Sequence, residues 1–195
     1  MMINPIVYQR IKNSISVKET ILKDEVLLEK ITACADLIWK NIKAGGKVIF
    51  AGNGGSFADA QHLCAEFVSR LKVDRAPMPS IALGTNSSTI TAIGNDYGFE
   101  YVFARELSAI YLEGDVFIGI TTSGKSKNIL KAFETAYDLG CDSILLTGSN
   151  EIELDNCVIS LNVPSDETVH IQEAHIMIGH IICELVEKSL VEVAK

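Results

Sequence analysis

The chain has 195 residues, 48% of them hydrophobic, which is enough for a substantial buried core and excludes a disordered chain. A net charge of −8 excludes a general nucleic-acid-binding surface, although one locally electropositive pocket can still take an anion. Cys34, Cys64, Cys141, Cys157 and Cys183 are odd in number, show no CxxC spacing and mostly sit in or beside apolar runs, so they read as buried free thiols in a reducing compartment. No signal-peptide h-region is evident, and no apolar run approaches the roughly 20 residues of a membrane span. The expectation is a single domain over 1–195 in the cytoplasm, with neither membrane nor nucleic acid as partner.

Two helical patterns come first, at about 4–22 and 25–43. In the second, Leu27, Ile31, Cys34, Ile38 and Ile42 recur at three- and four-residue steps until Ala44-Gly45-Gly46 breaks it. Val48–Ala51 then reads as a buried strand that runs into Gly52-Asn53-Gly54-Gly55-Ser56. The same alternation repeats. A helix at 57–71 leads to a strand at 80–84, helical segments across 86–112 to a strand at 115–120, and a helix at 126–139 to a strand at 143–148. A last strand at 157–161 precedes a long helix at 168–191. This order predicts a three-layer α-β-α sandwich with a five-stranded parallel sheet, the helices of 1–43 packing outside it or against another subunit. Ligands of such folds bind beyond the carboxyl ends of the strands, where strand order reverses.

Thr121-Thr122-Ser123-Gly124-Lys125-Ser126 occupies one such turn. Four hydroxyls, a glycine and a helix N-terminus in six residues make an anion cradle; helix capping alone would need only one of the hydroxyls. The Gly52–Ser56 turn matches neither GxGxxG nor a P-loop, so a nucleotide site is unsupported. Together the two loops suggest a pocket for a small phosphorylated ligand.

His62 and Glu66 stand at i and i+4 on one helix face, where they can share an ion, although HxxxE alone is more often a surface hydrogen bond. Three of the four histidines, His170, His175 and His180, fall in the last helix beside Gln172 and Glu173. Any one of them alone would read as a core histidine satisfied by a neighbour.

AGNGGSFADAQHLCAEF, AIGNDYGFE, GITTSGKSKN and IQEAHIMIGH together resemble the motifs of the phosphoheptose isomerases, which have the flavodoxin-like SIS (sugar isomerase) fold. The resemblance covers about residues 40–187. It implies one zinc ion per subunit on His62, Glu66, Gln172 and His180. It also implies substrate contacts from Asn53, Gly54, Gly55, Ser56, Glu66, Asn95, Asp96, Thr121, Thr122, Ser123, Ser126 and Gln172, with Glu66 and His180 catalytic. The implied substrate is a phosphorylated seven-carbon sugar, sedoheptulose 7-phosphate, and the implied assembly a homotetramer with active sites at subunit interfaces. The alternative is a non-catalytic tetramer of the same fold that acts as a protein-binding scaffold, like the DnaA-associating proteins. Gln172 and His180 lie eight residues apart, roughly 12 Å along a helix, so a shared ion needs an irregular helix start or donors from different subunits. The chain departs from the family pattern at Thr121, often Ser; at His170, where Arg is common; and in the loop 148–156, which lacks a glycine-rich stretch.

Overall fold

The computed structural model describes residues 4–150, 154, 157 and 159–193. Asn4 starts α1 (Pro5–Lys23) by accepting a hydrogen bond from the Ile6 N–H, and Pro5 brings the preset φ of a first helical position. Asp24 ends α1 and caps α2 (Glu25–Lys43), accepting from the Leu27 N–H at 2.9 Å. α2 buries Leu27, Ile31, Cys34, Ala35 and Ile38, the face its spacing predicts.

Five strands follow: β1 (Val48–Gly52), β2 (Ser80–Ala82), β3 (Val116–Ile120), β4 (Asp142–Thr147) and β5 (Ile159–Asn162). They form one all-parallel sheet in the order β2-β1-β3-β4-β5. Every residue of β1 and β3 is buried, because helices cover both faces. On one face α2, α3 (Gly55–Val68) and α7 (Thr168–Val193) supply the core; on the other, α4 (Ser87–Asp96), α5 (Val102–Ile110) and α6 (Lys127–Asp138) do. This is the expected α-β-α sandwich with the flavodoxin-like strand order. Among the described residues no helix is long and apolar enough to cross a membrane.

Several boundaries differ from the sequence reading; α3 ends at Val68 and β2 at Ala82, each two or three residues early, and three further differences stand out. α3 begins at Gly55, so the end of the first loop is already its first turn. The helical stretch 86–112 splits into α4, a 3-10 turn at Phe99–Tyr101 and α5, because Gly98 turns the chain at φ +98°. β5 starts at Ile159, after Cys157 has closed a turn back onto the Leu154 carbonyl. Residues 151–153, 155 and 156 of the 148–156 loop lie outside the described residues.

From β1 the chain adds β2 on one side and β3 on the other. The crevice beyond the ends of β1 and β3 is therefore the switch point, and both candidate loops open there.

Candidate active site

The two loops of the switch point are tied together. Asn53, after β1, and Asn128, in the first turn of α6, exchange side-chain amide hydrogen bonds at 2.9 and 2.8 Å. Gly124 turns the second loop at φ +68°, a conformation that a Cβ would strain. The Ser123 hydroxyl accepts from the Lys125 N–H at 3.1 Å, and buried Thr121 lies 3.1 Å from Ser126, oxygen to oxygen.

Capping sets the helices after these loops apart from α1, α2 and α4. Asn4, Asp24 and Asn86 cap α1, α2 and α4 with their side chains. Neither Gly54 nor Ser126 caps its helix with a side chain, although Asn128 Oδ1 accepts from the Ile129 N–H in the first turn of α6 at 3.0 Å, and the positive ends of both helix dipoles lie at the crevice. Buried Ser56 lies in the first turn of α3. Asn95 and Asp96 end α4, exposed, and hydrogen-bond each other at 2.8 Å rather than either loop.

The second cluster forms between α3 and α7. These helices lie side by side in the same direction, as three pairings show: Gly55 with Gln172, Leu63 with Gly179 and His62 with His180. A Cβ on Gly179 would stand 2.6 Å from Leu63, so glycine is what lets the helices meet there. Across this seam His62 Nε2 is 2.8 Å from His180 Nε2 and 3.4 Å from Glu66 Oε1. One donor atom from each of the three residues lies within 4.8 Å of the others. The His62 side chain is 48% exposed and Glu66 only 17%, so the cluster opens to solvent on the histidine side.

Gln172 meets α3 at Gly55, two turns before His62 on that helix. α7 is regular from Thr168 onward, and the Gln172 amide packs on Gly55, where a Cβ would come within 2.4 Å of it. The irregular helix start that would bring Gln172 to the ion beside His180 is therefore absent. Gln172 instead faces Asp59, a residue the sequence reading missed. Asp59 is buried, and its Oδ2 has no partner among the described residues. Burial pushes its carboxyl up, against the Gln172 hydrogen bond and the nearby His62. An aspartate three residues before His62 on the same helix was the available signal. Asn128 was missed as well, although it closes the GITTSGKSKN motif.

The other two α7 histidines have separate fates. His175 is fully buried, contacts the Thr147 carbonyl at 3.1 Å and is pushed down to about 4 by burial, so it stays neutral. His170 is buried near α1, its ring nitrogens 3.8 Å from Glu167 and 3.9 Å from Glu173.

The SIS domain family matches residues 11–148. A phosphoheptose isomerase of Aneurinibacillus thermoaerophilus is 50% identical over 188 residues, covering 96% of this chain and 95% of that protein. Phosphoheptose isomerase 2 of Campylobacter jejuni is 53% identical, covering 91% of this chain and 89% of that protein. The structure of a phosphoheptose isomerase from Francisella tularensis superposes with a TM-score of 0.87 at 38% identity, covering 93% of this chain and 96% of the other. The chain belongs to the phosphoheptose isomerase family.

As a member of that family, the chain has a donor set to be tested against the implied zinc. Two imidazole nitrogens and a carboxylate oxygen are ligands zinc accepts, and three protein donors with an open side is the catalytic form of such a site. Ligands about 2.0–2.1 Å from a tetrahedral ion stand about 3.3 Å apart, close to the His62–Glu66 separation of 3.4 Å. The His62–His180 separation of 2.8 Å would have to open by about half an ångström. The residues fit the ion.

Proposed function

We infer that the chain is a sugar-phosphate isomerase that interconverts sedoheptulose 7-phosphate and glycero-manno-heptose 7-phosphate, a step in making heptose. The observation that carries this reading is the convergence of His62, Glu66 and His180 in a chain that also keeps an anion cradle. A protein-binding scaffold has no need of either. The cradle residues Thr121, Thr122, Ser123 and Ser126 and the helix N-termini hold the phosphate, while Asn53, Gly54, Gly55 and Ser56 form the facing wall. Asn95, Asp96 and Gln172 contact the sugar hydroxyls.

His62, Glu66 and His180 would hold zinc, which supplies Lewis-acid polarisation of the substrate oxygens. In the ketose-to-aldose direction Glu66 and His180 would have to leave the ion for the proton transfers: Glu66 then removes the proton from C1 as a protonated His180 delivers one to the C2 oxygen, giving the enediol. His180 then takes the proton from the C1 oxygen, Glu66 returns its proton to C2, and the aldehyde forms.

The ion, its count of one per subunit, the tetramer and the cytoplasmic setting rest on the family resemblance and on two supports. A regular α7 leaves a Gln172 from a second copy as the route to a fourth donor. Exposed Val7, Ile11 and Ile15 on α1 offer an apolar surface for such assembly. The test is incubation of purified protein with sedoheptulose 7-phosphate, followed by NMR. An aldose heptose phosphate should accumulate. No conversion by zinc-loaded protein would overturn the reading.

A further inference from the structure

Eleven residues, 69–79, separate α3 from β2 and contain no regular element, yet a fully buried ion pair anchors them. The Arg75 and Glu187 side chains are 3% and 2% exposed, with Nε and Oε1 3.3 Å apart. Glu187 also accepts from the Leu71, Lys72 and Val73 N–H groups at 3.1, 2.9 and 3.2 Å. Burial alone would raise its carboxyl; those three N–H groups and Arg75 together hold it below the usual range. Arg75 spends its other donors on the end of α3. Nη1 donates to the Phe67, Ser69 and Ala76 carbonyls at 2.8, 3.1 and 3.0 Å, and Nη2 to the Glu66 carbonyl at 2.7 Å. A guanidinium thus satisfies the last-turn carbonyls of α3 and complements its negative dipole end.

The place of this pair in the seam matters. Glu187 follows His180 by seven residues, two turns on the same face of α7, roughly 10 Å along the helix. Arg75 grips the backbone of Glu66 itself. The donor cluster therefore lies between two fixing points, the Leu63–Gly179 and Gly55–Gln172 contacts on one side and the Arg75–Glu187 pair on the other. A slip of a single residue along either helix, about 1.5 Å, would break a cluster whose donors lie within 4.8 Å.

We propose that Arg75 and Glu187 are positioning residues that set the α3–α7 register and thereby the spacing of the His62, Glu66 and His180 donors. The proposal rests on the metal-site reading above. Replacing both charges together, Arg75→Met with Glu187→Leu, removes the clamp without leaving a lone buried charge, and such swaps often preserve stability.

Zinc affinity, read by competition with a chromophoric chelator, should fall about tenfold or more in this variant. Its affinity for inorganic phosphate should stay within threefold, because the cradle hydroxyls belong to the loop between β3 and α6 and the α3 N-terminus is held separately by the Gly55–Gln172 contact, at the opposite end of that helix from Arg75. Zinc affinity within twofold of wild type would overturn the proposal. A fold lost in the variant leaves a second measurement on the intact protein. By reciprocity, zinc loading should slow hydrogen exchange at the Leu71, Lys72 and Val73 amides. Unchanged exchange in zinc-loaded protein would likewise overturn it. Wild type that takes up no zinc would overturn the metal reading itself, an outcome distinct from normal uptake by both proteins.

Discussion

The cradle and the donor cluster are built on opposite principles. The cradle is made by the backbone: two helix N-termini, a glycine at φ +68° and hydroxyls placed by their own strand ends. The donor cluster is made by side chains from two helices whose key residues, His62 and His180, are 118 positions apart in the chain. Local chain geometry guarantees the first; only tertiary packing guarantees the second. Single substitutions should therefore be severe in the cluster and graded in the cradle.

The largest effect should come from Glu66→Gln, which keeps size and hydrogen bonding but removes the proposed base. Turnover should drop about 100-fold or more with sugar-phosphate affinity largely kept. Steady-state kinetics alongside calorimetric titration checks this, and a kcat within a fewfold of wild type would remove Glu66 from the chemistry. Next comes the paired change Ser123→Ala with Ser126→Ala. Each lost charge-assisted hydrogen bond is worth about 1.5–3 kcal/mol, so sedoheptulose 7-phosphate should bind on the order of 100-fold more weakly. Zinc affinity should not change, since neither hydroxyl touches the seam. Loss of both functions together would show that the two regions are not separate devices.

The same contrast explains what was legible in the sequence. The strand–loop–helix order, the α2 face and the 121–126 cradle were readable because each depends on a few adjacent residues. The i, i+4 spacing of His62 and Glu66 was readable too. Which α7 histidine joins them was not readable from spacing; only the family resemblance named His180. At about 100° per residue, His170, His175 and His180 fan out in three directions, and only the packing of α7 on α3 decides which one meets His62. Asp59 escaped notice because an aspartate early in a helix reads as a surface residue; α7 makes it a buried one. The position of Gln172 against Gly55 depends on the same packing.

Acid should attack the two regions unequally. The cradle has hydroxyls and amides that do not titrate, whereas α7 carries His175 and Glu187. His175 lies at about 4 when folded, pushed down from 6.5 by burial. Above pH 6.5 both states are neutral. Below it the unfolded chain takes up a proton that the folded chain refuses, so stability falls as pH drops from about 6.5 to 4 and then levels off. The shift corresponds to about 3 kcal/mol at most. Glu187, held below its ordinary value, contributes stability present above about 4.5 and lost as pH falls further. Urea unfolding at pH 7 and pH 5 should show the first loss, and His175→Gln should flatten it. An unchanged slope in that variant would place the acid sensitivity elsewhere.

The smallest effect concerns the joint between the two loops. Asn128 is 3% exposed, and its amide pairs with Asn53 in both directions. In the proposed site Asn53 faces the sugar phosphate, and Asn128 orients it while also accepting from the Ile129 N–H at 3.0 Å. Asn128→Ala should therefore cost about one hydrogen bond of order, weakening binding roughly five- to tenfold, about 1 kcal/mol. Asn53→Ala should cost more, since it removes the ligand contact as well as the pairing. The decisive measurement is the double-mutant cycle by calorimetric titration. If Asn128 acts through Asn53 alone, adding Asn128→Ala to the Asn53→Ala protein should change affinity no further. Additive losses would mean that Asn128 holds the α6 N-terminus independently, so that the cradle would stand as two separate helix ends rather than as one wall pinned across the switch point.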